Sequence, residues 1–334
     1  MTWIIGIDEA GYGPNLGPFV MTAAACHVPA CCALLPNGED RAEYDLWRLL
    51  HPAVRRSHDA DQGQLLIDDS KRVYAAHGLA GLECGVLTAL APDAHAPMPT
   101  SLATLMNQLC LDTGDELRRE VWYRGLQSLP MSLSLVDLQQ RRRSFADACA
   151  AANVRGWQLR SVVICPQRFN ALIEKSGTKG YVLAYALTDL LRWYSAAEGA
   201  GLSGEDEGLF VIDKHGGRNT YAAMIQHALP QGILIIEAES QARSAYRVHG
   251  LRCNMRLVFQ PCADSTHFCV ALASMASKYL REMLMLEFNR FWQEQIPGLK
   301  ATAGYPGDAA RFFQAIRPAI EKLGLPPETL WRRK

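Results

Sequence analysis

Several common function classes are disfavoured by what this chain lacks. Its 34 Lys and Arg are balanced by 34 Asp and Glu, so there is no net charge. An overall basic balance, the frequent footprint of a nucleic-acid binder, is therefore absent, and any such contact must come from a local patch. The 10 cysteines include no C-x-x-C pair, and Cys and His do not cluster at ligand spacing, which argues against zinc. Cys31 and Cys32 are adjacent and poorly placed to bridge each other. With no secretory leader in view, buried or free thiols in a reducing cytoplasm are expected. No apolar run reaches membrane-spanning length, and no membrane partner is expected. Internal repeats are absent, and the one low-complexity hint is the short stretch AHAPMPTS. What remains is a chain of 334 residues, 49% hydrophobic, which is ample for a core in one large or two small domains.

The most informative stretch is WIIGIDEAGYGPNLGPFV, residues 3–20. Trp3, Ile4, Ile5 and Ile7 read as a buried strand ending in adjacent carboxylates, Asp8 and Glu9. Gly11, Gly13 and Gly17, with Pro14 and Pro18, then break regular structure before a second apolar run, Phe19 to Ala25. Neighbouring strand residues face opposite ways, so for Asp8 and Glu9 to act together the strand must end or twist there. A lone carboxylate at a strand end is usually just part of a turn. Two of them beside three glycines suit metal ligation together with contact to a phosphate-sugar backbone.

IDEAGYGPNLGP resembles the signature of the type 2 ribonucleases H, the ribonuclease HII and HIII group. In that group a strand ends in DE and is followed by G-x-G and then GP. The resemblance implies a ribonuclease H-like α/β fold, a mixed β-sheet flanked by helices. Leu65-Leu66-Ile67 leads into Asp68-Asp69-Ser70-Lys71, where Asp or Ser caps a helix over Val73 to Leu82. The family carries a DSK motif at this place, which implies that Ser70 and Lys71 face a phosphate. Residues 83–155 have no counterpart in the resemblance and read as a mostly helical insertion in a single catalytic domain spanning 1–334. Its helices are expected over Leu102–Leu111, Asp115–Leu126 and Ser134–Ala152, after a linker, ALAPDAHAPMPTS. The run Arg141-Arg142-Arg143 reads as a solvated face, with nucleic-acid contact the minority alternative.

Trp157 to Cys165 is β-rich, and a strongly apolar helix follows from Tyr181 to about Tyr194. Phe169-Asn170 and Lys179 resemble a ribonuclease HIII pattern. Residues 199–208 form a loop before Leu209 to Ile212, a short buried strand ending in Asp213. In KHGGR, Lys214 and Arg218 are placed to hold a phosphate, whereas His215 reads as a loop residue and a helix starts at Thr220. Ile233–Glu237 is a strand, and Ala245–His249 with Met255–Gln260 form a hairpin. Next, Asp264, Ser265 or Thr266 caps a long helix to about Glu294, whose apolar stripe is core. DSTHFCVALASMASKYLRE resembles the family's fourth-acid segment, with Ala273, Ser274, Lys278 and Arg281 in the matching places. Ala303-Gly304-Tyr305-Pro306 resembles the GYPT element, with Gly307 for Thr and no matching His. There the family's Tyr reads the sugar at an RNA–DNA junction. A helix is expected over Asp308–Leu323, and the basic tail after Pro326 is expected to be loose.

The resemblance implies that Asp8, Glu9, Asp213 and Asp264 are both catalytic and metal-binding. Clustered carboxylates repel one another, and hard oxygen ligands suit Mg²⁺ or Mn²⁺. Gly11, Tyr12, Gly13, Ser70, Lys71, Lys214, Arg218, Lys278 and Tyr305 are the implied substrate contacts. Tyr12 stands where ribonuclease HII often has Arg. The implied activity is two-metal hydrolysis of RNA in RNA–DNA hybrids or ribonucleotide-containing duplexes, giving 5′-phosphate and 3′-hydroxyl ends. No obligatory protein partner is evident. Two alternatives stay open: a nucleic-acid-binding protein of the same fold that does not cut, and a two-metal nuclease with another substrate.

Overall fold

The alternation in Trp3–Ile7 builds two cores on opposite faces of one strand. In β1 (Thr2–Ala10), Trp3, Ile5 and Ile7 join one apolar cluster and Ile4 joins another. A computed structural model describes residues 2–29, 45–59, 63–90, 97–111, 117, 119–196 and 207–333. The further elements are β2 (Phe19–Val28), α1 (Leu46–Leu49), β3 (Val54–Arg55), β4 (Leu65–Leu66), α2 (Ser70–Leu90), α3 (Leu102–Leu109), α4 (Leu135–Ala151) and β5 (Arg155–Ile164). Then come α5 (Pro166–Ser176), α6 (Gly180–Ser195), β6 (Glu207–Asp213), α7 (Ala222–Ala228), β7 (Ile233–Glu239), β8 (Ser244–His249), β9 (Asn254–Gln260), α8 (Phe268–Gln295) and α9 (Pro306–Leu323).

Seven strands form one mixed sheet in the order β5-β2-β1-β6-β9-β8-β7. At its centre β1, β6 and β9 run parallel, and the outer pairings are antiparallel. Helices α5, α6 and α7 cover one face with Phe169, Leu187, Leu190 and Ile225. Helix α8 lies against β1 and β2 on the other face, and α2 packs over it. Being covered on both sides, α8 is apolar nearly all round, which explains its unbroken run of buried residues from Phe268 to Ser277. Beyond the sheet, Phe288 and Trp292 of α8 pack with Phe312 and Ile316 of α9 in a third cluster.

Helix α2 has the length and composition to cross a membrane. It is kinked at Gly78, and its second half packs in the core, with Leu82, Val86 and Leu87 fully buried. Its buried Glu83 carboxylate accepts the N–H groups of Met131 and Ser132 and the Tyr279 hydroxyl. The boundary expected at residue 83 therefore falls inside a helix. The described cysteines are free thiols, mostly buried.

Other expectations change for local reasons. The loop at 199–206, the start of the Asp115–Leu126 helix, the middle of the linker and Cys31-Cys32 lie outside the described residues. The later part of Asp115–Leu126 is turn rather than helix: Gly125 has φ +66°, and the N–H groups of Gly125 and Leu126 donate to the Glu287 carboxylate. Nor is the arginine run a uniformly solvated face. Arg142 is buried, and Arg141 donates to the carbonyls of Gly63 and Gln64. The tail is docked rather than loose. Arg332 is 1% exposed, its N–H donates to the Asn15 carbonyl at 2.8 Å, and its guanidinium reaches the Pro14 carbonyl. Asn170 holds the same segment through the carbonyls of Glu328 and Trp331.

Candidate active site

Three parallel strands end side by side, and each delivers acid. Pairing of β1 with β6 stops at Ile7↔Ile212, so Asp8 and Asp213 are the next residues on adjacent strands. The β6–β9 ladder ends at Asp213↔Gln260, four residues before Asp264. Open α/β sheets place their chemistry at the carboxyl ends of parallel strands, where side chains and loops meet outside the ladder. Contrary to the expectation of a break, β1 continues past both acids and stays paired to β2 through Ala10↔Val20. The break occurs only on the β6 side.

Asp264 does not cap the long helix. It sits in a separate 3₁₀ turn, Ala263–Ser265, and α8 starts later, at Phe268. Cys262 enters the turn in the left-handed region with φ +55°, which directs the chain away from a direct strand-to-helix entry. Asp213 holds this turn, because its Oδ1 accepts the Ala263 N–H at 2.9 Å. Helix α8 grips β1 as well: the Ser277 hydroxyl donates to the Asp8 carbonyl at 3.0 Å. Ser274 hydrogen-bonds the Asp8 carboxyl and lies 2.9 Å, Oγ to Oγ, from Ser70 at the start of α2.

The acids act on one another. Burial holds the Asp8 carboxyl well above the usual range, helped by Glu9 and Asp213, while Ser274 opposes the shift. Burial, Asp213 and Asp264 raise Glu9 to about 7, against the pull of Lys71. Asp213 is raised by burial, although the N–H groups of Ala263 and Lys214 and the Lys71 charge lower it. Asp264 is raised by burial and then by Asp69 and Asp213. The Lys71 ammonium thus serves three carboxylates at once. Asp69, read from the sequence only as a cap, belongs to this charge cluster. Its oxygen also accepts the Lys71 N–H at 2.8 Å.

These shifts set a pH dependence for the metal-free protein. Glu9 titrates near 4.5 when exposed and near 7 in the fold, so between these values the folded state binds more protons. Stability must then fall as pH rises through that window, by up to about 3 kcal/mol from this group at roughly 1.4 kcal/mol per unit. Asp8, Asp213 and Asp264 act in the same direction. Urea midpoints measured in EDTA should fall from pH 5 to pH 7.5, and Mg²⁺ should restore most of the loss at the upper end. A flat profile would remove the electrostatic basis of the site.

The remaining residues divide into two groups. Gly11 takes φ +84°, and a Cβ there would lie 2.5 Å from Arg281 Nε, so the glycine loop lies directly on that buried guanidinium. Gly13 faces Tyr305, whose half-exposed ring is at the start of α9. The Gly304 carbonyl accepts the N–H groups of Asn15 and Leu16, which joins the two motifs. Tyr12 feels the charges of Glu9 and Arg218, and Lys179 Nζ lies 4.7 Å from its ring centroid. Lys71, Tyr12 and Ser70 are thus linked to the acids, the first two through Glu9 and the last through Ser274, and Arg218 acts on Tyr12, while Gly11, Gly13 and Tyr305 pack around Arg281. Lys214 instead donates to Asn219 and to the Ser240 carbonyl. Lys278 is committed to Glu282 and to the Tyr74 ring. His215 is buried against Tyr221 and Phe259, and burial lowers it to about 4, which keeps it neutral. Sequence reasoning missed Arg332, because nothing local links residue 332 to residues 14 and 15.

Among the described residues, no three His, Cys, Asp or Glu side chains are gathered closely enough to hold one ion. The donor set nevertheless has the right chemistry: all oxygen, half-buried or buried, with carboxyls held above their ordinary range by burial first and by neighbouring carboxylates second, a shift that a bound cation opposes. Asp8, Glu9, Asp213 and Asp264 fit a hard divalent ion on those grounds.

No protein-family model and no curated protein matches the sequence. Among solved structures, the chain is similar in shape to the ribonuclease HII of Archaeoglobus fulgidus, solved in complex with PCNA. The TM-score is 0.40 at 14% identity, covering 99% of this chain and 94% of that one. Ribonuclease H2 of Pyrococcus horikoshii OT3 gives 0.40 at 12% identity, covering 98% and 92%. The Mn²⁺ complex of Bst-RNase HIII gives 0.37 at 17% identity, covering 99% of this chain and 66% of that one. The solved structures this chain resembles are thus ribonucleases HII and HIII, at low identity.

Proposed function

We propose that this chain is a metal-dependent endoribonuclease. Its substrate would be the RNA strand of RNA–DNA hybrids or of ribonucleotide-containing duplexes, cut to 5′-phosphate and 3′-hydroxyl ends. One observation supports the reading: Asp8, Glu9 and Asp213 lie at the ends of β1 and β6 and Asp264 in the turn after β9, each near enough to at least one other of the four for their charges to interact, with the glycine loop and Tyr305 packed alongside. Mg²⁺ or Mn²⁺ held by these four carboxylates would supply an activated water and charge neutralisation at phosphorus. The chain's own groups do the rest. Backbone N–H groups of Gly11 to Gly13 face the ribose, whose 2′-hydroxyl distinguishes RNA from DNA. Lys71 offers a cation to a phosphate, and Tyr305 offers an exposed ring to a sugar. Free thiols accord with a reducing, cytoplasmic location.

The spacing of the carboxylates favours a second reading, a protein of this kind that binds hybrids without cutting. Three labelled duplexes separate the two: a long RNA–DNA hybrid, a DNA duplex with one ribonucleotide, and all-DNA, each with Mg²⁺ or Mn²⁺. Cutting confined to the RNA-containing duplexes is expected. Tight hybrid binding by folded protein with no product in either metal would sink the nuclease reading, and equal cutting of all-DNA would change its substrate.

A further inference from the structure

A cavity of about 770 Å³ opens on the sheet face away from α8, between α6, α7 and β7. Its lining includes Lys175, Tyr181, Tyr185, Arg192 and Arg218, and its one acid is Glu239. That carboxylate already accepts the Tyr246 hydroxyl at 2.5 Å. Arg192 is held at the cavity wall by the His227 and Ala228 carbonyls. Tyr185 is held by Arg168, which donates to its hydroxyl at 2.6 Å. Tyr181 and Tyr185 are one helical turn apart, with ring centroids at 6.5 Å. In a chain with no net charge, this concentration of cations around two half-buried phenol rings is a local basic patch.

The cavity is joined to the acid cluster. Arg218 lines it and also acts electrostatically on Tyr12, which in turn feels Glu9. Lys179, whose ammonium sits over Tyr12, precedes α6, and Tyr181 lies in the first turn of that helix. Lys179 thus reaches Tyr12 from the start of the same helix whose Tyr181 and Tyr185 line the cavity. The volume falls in the roughly 300–1,000 Å³ range of pockets that enclose one small organic ligand. That is space for about one or two nucleotides and too little for a duplex. Stacking platforms interleaved with cations are how proteins hold unpaired strands without reading sequence.

We propose that this cavity is a second nucleic-acid subsite. It takes an unpaired strand running out from the candidate active site, with bases on Tyr181 and Tyr185 and phosphates on Lys175, Arg192 and Arg218. The inference rests on the nuclease reading for the substrate it extends. It makes the preferred substrate a hybrid bearing a single-stranded flank.

The test is binding of an RNA–DNA hybrid to the full-length Asp8→Asn protein in EDTA, so that cleavage does not intervene. The hybrid is used blunt or with a short oligothymidine tail on each of its four ends in turn. In at least one placement the tail should tighten binding by about tenfold. Tyr181→Ala with Tyr185→Ala should erase that gain and leave blunt binding unchanged, Tyr181→Phe with Tyr185→Phe should retain it, and Arg192→Ala should reduce it. No gain in any placement overturns the proposal, as does a gain that survives both the alanine pair and Arg192→Ala. If the alanine pair also loses blunt binding, Arg192→Ala decides alone. A wild-type protein that never cuts the blunt hybrid with Mg²⁺ but keeps the tail-dependent gain would end the nuclease reading and leave the subsite standing.

Discussion

Asp8→Asn is expected to lower hybrid cleavage by at least about a thousandfold while the protein keeps its fold. Asp8 is 8% exposed, and both its carboxyl and its carbonyl are gripped by α8, through Ser274 and Ser277. Asparagine keeps the volume and can still meet the Ser274 hydroxyl, so packing gives no reason for loss of structure. What it removes is the negative charge at the point where β1 and β6 separate. In the metal-free protein that charge is already disfavoured by burial and by Glu9 and Asp213. The variant should therefore be at least as stable as wild type in EDTA at neutral pH, and Mg²⁺ should raise its melting temperature less. Single-turnover cleavage and thermal melts with and without Mg²⁺ make the comparison. Near-wild-type activity would mean that the reacting phosphate lies elsewhere. Lost activity with an unchanged Mg²⁺ response would make Asp8 important for a reason other than cation binding.

The readability of this molecule from its sequence tracks the range of the interactions. The β1 strand and the hairpin β8–β9 were legible because alternation and turn residues are local signals, whereas the expected end of β1 at Asp8-Glu9 was not met, since pairing with β2 carries the strand on to Ala10. The mixed sheet of the α/β architecture came from the family resemblance, since the order of strands and helices along the chain agrees with that fold without singling it out. Placement failed where a distant contact decides the outcome. Asp264 has the composition of a helix cap, yet Asp213, 51 positions earlier, draws its turn toward the sheet. Lys214 sits in a phosphate-like loop, but Asn219 and the Ser240 carbonyl take its ammonium. The tail has a loose, basic composition, yet Asn15 and Asn170 fasten it. The aromatic pair Tyr181 and Tyr185 read as ordinary helix residues, since only the fold sets α7 and β7 beside them. Local chemistry was visible, and its direction in space was not.

Gly6→Ala, a change of one methyl group outside the charge cluster, is expected to be strongly destabilising. Glycine weakens a strand interior, so its presence between Ile5 and Ile7 needs a reason. Helix α8 supplies it. A Cβ at residue 6 would lie 2.1 Å from the Cys269 carbonyl carbon and 2.2 Å from the Val270 nitrogen. Both are backbone atoms, so no rotamer change relieves the clash, and the first turn of α8 must move as a body. A cost of about 3–5 kcal/mol follows, in the range of strongly overpacked cores. Gly307→Ala is the control: nothing lies within 4 Å of its added carbon, and its position in α9 favours alanine, so it should be neutral or slightly stabilising. Urea unfolding of the two variants tests the contrast, and equal midpoints would show that α8 does not press on β1. The functional consequence follows from the same contact. Ser274 and Ser277, which hold Asp8, lie on α8, and the turn carrying Asp264 leads into it. Displacing the helix separates the fourth carboxylate from the first, so any Gly6→Ala protein that still folds should lose cleavage with all four acids intact.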